Sequence, residues 1–141
     1  MTMKTYLSIA LVAFIAGISP AMALDEADRQ RLNSGEGCPG CNLSGANFNG
    51  MELSNQDLSG ANLEGANLNG AGLYKSNLSG ANLRNAILTR ANPSGANFTG
   101  ADLTGADFSG IHAVDMEGAI FDNAILCNTK WIDGTAVNNC P

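Results

Sequence analysis

Between Asn42 and Gly110 the hydrophobic positions recur with a period of five. A Leu or Phe stands at every fifth residue from Leu43 to Phe108, interrupted once, by Pro93. Ala usually lies two residues before it, Asn or Asp immediately before it, and Gly often two after it. An α-helix cannot use this spacing, because a step of five advances about 140° around the axis and would spread the leucines over every face. One long strand fails as well, since odd steps send alternate leucines to opposite sides. Within a unit, however, Ala-Asn-Leu is an in-out-in triplet with the strand period of two. The following pair, such as Ser-Gly or Thr-Gly, carries turn chemistry, with Gly supplying a positive φ. Each unit therefore reads as a three-residue strand followed by a corner.

Four corners close a square, and four units of five make a coil of 20 residues. Successive coils would stack at about 4.8 Å, the spacing of hydrogen-bonded strands. Each side would bury one large and one small side chain, which explains why Ala recurs at the small position. The middle residue faces water, where Asn and Asp are tolerated. Stacking in fours predicts four interior columns: Leu43, Leu63, Leu83 and Leu103; Phe48, Leu68, Leu88 and Phe108; Leu53, Leu73, Pro93 and Ala113; Leu58, Leu78 and Phe98. Pro93 has no amide for the ladder, so its side should be irregular, with Phe98 and Ile111 candidates to fill the space. After Gly110 the register slips by three residues, which predicts a short bulge and places His112 near an exposed corner. Trp131 takes the last large inward position and should plug the core.

Fourteen consecutive units in one register resemble the pentapeptide-repeat family, whose pattern is A-(N/D)-L-x-x. The resemblance covers roughly residues 41–133 and implies an all-β fold, a right-handed quadrilateral parallel β-helix. A Cys-x-x-Cys start and a Cys-Asn…Asp-Gly…Cys finish are also familiar from exported members in cyanobacteria, implying the periplasm or the thylakoid lumen.

The flanks divide the remainder. Lys4, an apolar run from Tyr6 to Ile18, Pro20 and Ala21-Met22-Ala23 form the three regions of a secretory signal peptide over residues 1–23. That apolar run falls short of the ~20 residues a spanning helix needs, so no membrane attachment is expected after cleavage. Residues 24–40 read as an N-terminal cap with a short helix over Leu24–Leu32, started by Asp25 and stopped by Asn33-Ser34-Gly35. Residues 41–133 are the repeat, and residues 134–141 a disulfide-closed tail.

The whole chain has a formal charge of −6, and losing Lys4 leaves 6 basic residues against 13 acidic, a net of −7. An acidic domain of this kind has no electrostatic footprint for nucleic acid. Export makes disulfides plausible for Cys38, Cys41, Cys127 and Cys140. The stacking puts Cys38 and Cys41 at the first coil and Cys127 and Cys140 at the last, so the pairs are expected to be Cys38–Cys41 and Cys127–Cys140. A redox use of Cys38-Pro39-Gly40-Cys41 would need an activated thiol, yet the motif leads into a strand with no basic residue nearby after Arg31. Zinc would need two more close ligands, and the only His, His112, lies far along the repeat.

No catalytic, cofactor or metal set is expected, because the repeat itself accounts for the Ser, Thr and Gly residues. The expected role is a non-catalytic, monomeric, exported structural or interaction module that binds a protein or polymer partner. The resemblance offers one alternative, since some cytoplasmic members act on DNA gyrase as acidic mimics of DNA. Here Asn62, Asn67, Asn82 and Asn97 occupy outward positions, and Lys75, Arg84 and Arg90 interrupt any negative stripe. The other alternative is a thiol–disulfide protein built on Cys38 and Cys41.

Overall fold

The computed structural model describes residues 24–141. The expected signal peptide, residues 1–23, lies outside the described residues. Helix α1 spans Glu26–Ser34. Asp25 caps its start by accepting from the Ala27 amide, and Gly35, at φ 80°, ends it. Leu32 is the buried residue of α1, seated on the first coil, and Gln56 Nε2 donates to its carbonyl at 2.8 Å. That single apolar contact plus one buried hydrogen bond is how so polar a helix covers an open end.

Below α1 the backbone pairs with itself in parallel at a separation of 20 residues. There are four ladders. They run through Asn42, Asn62, Asn82, Asp102 and Ile125; Asn47, Asn67, Ile87, Asp107 and Lys130; Glu52, Gly72 and Asn92; and Asp57, Asn77, Asn97 and Ile120. Each inward Leu donates to the coil below, as Leu63 N–H does to the Asn82 carbonyl at 2.7 Å, and each outward residue donates to the coil above, as Asn82 N–H does to the Ala61 carbonyl at 3.0 Å. The second corner residue takes a positive φ, usually as Gly or Asn, with Lys75 (54°) and Arg90 (58°) the other two residues in the repeat to do so.

The interior follows the predicted columns closely. Leu43, Leu63, Leu83 and Leu103, with Phe48, Leu68, Leu88 and Phe108, are all buried, as are Leu53, Leu73, Leu58, Leu78 and Phe98. Ala at the small positions is buried from Ala61 to Ala106, and Thr129 replaces it in the last coil, its hydroxyl donating to the Leu103 carbonyl at 2.8 Å. The coil's hydrogen bonding begins ahead of Cys41: Cys38 N–H donates to the Asp57 carbonyl at 2.7 Å, and Cys38 stands fully buried one coil above Leu58. Gly37 is required there, since at φ 73° a Cβ would overlap the Asp57 backbone.

One column differs from expectation. Ala113 is exposed, on a 3₁₀ turn at Ala113–Met116, and Met116 lies half-buried against the core instead. The extra residues explain it. Pairing that steps by 20 above becomes Asn97 with Ile120, Asp102 with Ile125 and Asp107 with Lys130, a step of 23. The third ladder ends at Asn92, the residue before Pro93, which has no amide to donate downward. The irregularity expected beside Pro93 is therefore the point where the inserted residues are accommodated. Pro93, Phe98 and Ile111 are all buried around it.

Phe98 stacks on Phe121 with ring centroids 4.9 Å apart, and Phe108 and Trp131 close the floor at 5.5 Å. Strand β1 (Leu126–Lys130) belongs to the last coil and also pairs antiparallel with β2 (Ala136–Asn139). The tail thus folds back onto the coil's lower edge.

Candidate functional site

The surface is built by the middle residue of each unit. Its side-chain oxygen accepts from the backbone N–H two residues on: Asn42 from Ser44, Asp57 from Ser59, Asn82 from Arg84, Asp102 from Thr104 and Asp107 from Ser109 all show it, at 2.8–3.3 Å. Asn and Asp are thus selected by the turn. Down a ladder the amides also join, with Asn82 Nδ2 donating to Asn62 Oδ1 and Asn77 Nδ2 to Asp57 Oδ1. Tolerance of water alone does not select Asn and Asp; their recurrence two residues before a corner Ser or Thr is the sequence signal of that bond.

The same bonds set the acidity. Ser59 hydrogen bonds hold the Asp57 carboxyl below its usual range, and Ser54 does the same for Glu52. At Asp102 burial pushes the carboxyl up, but Thr104 and Arg84 outweigh it. At Asp107 burial is likewise overcome by Ser109 and Lys130. The ion pairs Arg84–Asp102 and Lys130–Asp107, at 3.0 and 3.4 Å, balance two of the outward acids. Among the described residues the exposed large apolar side chains are Tyr74, Ile87, Val114 and Ile120, each in a different unit of the repeat. His112 is exposed at the start of the 3₁₀ turn.

The four cysteines are joined as Cys38–Cys41, with Cα atoms 5.5 Å apart, and Cys127–Cys140, at 4.5 Å. The first lies under α1, and Asp28 of that helix comes with it: its carboxylate and the two sulfurs lie within 4.8 Å of one another. Asp28 also meets Arg31 at 3.7 Å. Sequence spacing carries no sign of Asp28, because the loop through Gly35 and Gly37 brings α1 back over the first coil. Among the described residues, no helix is long and apolar enough to cross a membrane.

The family profile for pentapeptide repeats matches residues 40–73 and 76–112, in eight copies. Among solved structures, a pentapeptide repeat protein of the Arabidopsis thaliana thylakoid lumen is 28% identical, over 73% of this chain and 70% of that one, with a TM-score of 0.37. One from the cyanobacterium Cyanothece is 28% identical over 74% of this chain and 97% of that one, with a TM-score of 0.30. A trypsin-treated form of QnrB1, a plasmid-mediated fluoroquinolone resistance protein, is 27% identical over 72% of this chain, which spans 56% of its length, with a TM-score of 0.44. No curated protein matches the chain. With half of its length matched and the five-residue period stacked in coils of 20, the chain belongs to the pentapeptide-repeat family.

Proposed function

We propose that the protein is an exported, non-catalytic, monomeric scaffold: a right-handed, four-sided β-helix whose outer faces present amides, hydroxyls and carboxylates to a protein or polymer partner. The observation that carries this reading is the use to which the polar groups are put. Hydroxyls of the kind a nucleophile needs are bonded into the corners instead, as with Ser79 Oγ on Asn77 at 2.7 Å and Thr104 Oγ1 on Asp102 at 2.6 Å. Thr89 Oγ1 likewise bonds Asn69 of the coil above, at 2.7 Å. The chemistry of the side chains is directed at holding a shape, and a fixed shape with a repeating polar surface suits recognition.

Export is supported by the leader pattern of residues 1–23 and by two disulfides closing the two ends of the coil. Mimicry of DNA is disfavoured, because Arg84 and Lys130 neutralise Asp102 and Asp107 where a mimic needs bare acids. The test has two arms. Mass spectrometry of protein recovered from an exported compartment should find a chain that starts at Leu24, carrying both disulfides. A gyrase supercoiling assay should show no inhibition by the mature chain. A chain retaining residues 1–23, or potent gyrase inhibition, would overturn the proposal.

A further inference from the structure

The group under α1 has a chemistry that the disulfide conceals. Asp28 Oδ and the sulfurs of Cys38 and Cys41 converge within 4.8 Å, with Cys38 buried and the other two half-buried. We propose that reducing the Cys38–Cys41 disulfide turns this group into a site for a thiophilic divalent cation of the Zn²⁺ class, bound by two thiolates and one carboxylate.

The decisive point is what holds the sulfurs together. Cys38 and Gly40 donate to the Asp57 and Ser59 carbonyls at 2.7 and 2.8 Å, and Cys41 N–H donates back to the Cys38 carbonyl at 3.3 Å. Cys41's own carbonyl accepts from Asn62 at 2.9 Å. The backbone on both sides of the pair is thus fixed by the coil and not by the S–S bond. Asp28 is positioned independently too, through the buried Leu32 and the Gln56 bond to its carbonyl. Reduction therefore leaves three donors facing one point.

The balance is complete with a dithiol as reductant. The dithiol gives two electrons and two protons, the protein S–S bond breaks, and the dithiol closes to its own disulfide. The cation then displaces the two thiol protons to solvent, and the two thiolates match its charge. Thiolate donors select Zn²⁺-like ions over Mg²⁺ or Ca²⁺. Three protein ligands leave a fourth, tetrahedral position for water. Arg31, now 3.7 Å from the Asp28 carboxylate, holds it only through a half-exposed ion pair, which such a cation can displace.

The test uses the mature chain carrying Cys127→Ser and Cys140→Ser, so that one thiol pair is measured, reduced with dithiothreitol and desalted without air. Co²⁺ should bind one-to-one with a sulfur-to-cobalt charge-transfer band, and Zn²⁺ should displace it. The oxidised chain should give no band. Asp28→Asn, which keeps the side chain's size and gives up only the half-exposed Arg31 ion pair, should weaken Zn²⁺ binding by more than the roughly 10–100-fold typical of losing an outer-sphere partner. No Co²⁺ band from reduced protein, or Asp28→Asn binding as tightly as the parent, would overturn the proposal. So would loss of hydrogen-exchange protection at the Cys38, Gly40 and Asn62 amides on reduction, since the site depends on a backbone that the coil holds in place.

Discussion

Replacing Leu83 by Ala should cost about 4 kcal/mol of stability. Leu83 is fully buried, in the column between Leu63 and Leu103. The change removes three carbons, about 2.4 kcal/mol at 0.8 kcal/mol per buried methylene. The remainder depends on whether the space closes. Here it cannot close well, because the backbone is pinned above and below: Leu63 N–H to Asn82, Asn82 N–H to Ala61, and Leu83 N–H to Asp102, all at 2.7–3.0 Å. A persisting cavity moves the cost into the upper part of the roughly 2–5 kcal/mol range for such truncations. Ile87, four residues on, is the internal control. It is a large aliphatic residue in the outward position, 43% exposed, and Ile87→Ala should cost under about 1 kcal/mol. Urea unfolding followed by far-ultraviolet circular dichroism measures both. Equal costs for the two, or a loss at Leu83 below about 1.5 kcal/mol, would refute the inward and outward assignment.

Cys140→Ser should raise hydrogen exchange across Ala136–Asn139 while leaving the ladders from Leu63 to Leu103 protected, because β2 rests on β1 and on a closed loop that the entropy model values at about 3 kcal/mol. The carboxyls of Glu52, Asp57, Asp102 and Asp107 are all held below their ordinary range in the folded chain. A depressed folded pKa stabilises above the unfolded value, about 4, and the contribution is lost as pH falls through the folded value. The urea midpoint should therefore be flat near neutrality and fall below about pH 4, and Asp57→Asn should flatten that fall; a midpoint that rises on acidification would contradict this. Gly37→Ala should destabilise the first coil by more than about 1–2 kcal/mol, through a Cβ that overlaps the Asp57 backbone at a positive φ. Loss of protection at Cys38 and Gly40 amides is the measurement.

Much of the fold was legible because one residue type does one job in every unit. The leucines of all four sides, the three-residue slip after Gly110 and the site of Trp131 follow from spacing alone, and the capping role of Asp25 from its residue type. What was not legible depends on contacts between units or on atoms without a period. Counting the frame straight through the slip puts Ala113 in the third column; the chain gives that place to Met116, three residues later. Cys38 looks like part of a loop, yet it takes a large inward position, because Gly37 lets the chain enter the coil early. Gln56 breaks the repeat at a small inward position, and only the placement of α1 above it explains the exception, since its amide donates to the Leu32 carbonyl. Asp28 joins Cys38 and Cys41 only through tertiary placement.

Each coil takes 20 residues until the insertion adds three, and scalar couplings across hydrogen bonds measured by NMR read that step at individual amides. Couplings are expected from the Leu63, Leu68 and Leu83 amides to the carbonyls of Asn82, Ile87 and Asp102, a step of 19. From Phe98 and Leu103 the step should become 22, to Ile120 and Ile125. Couplings from the Leu63, Leu68 or Leu83 amide to any other carbonyl, or a step of 19 maintained from Phe98 onward, would contradict it.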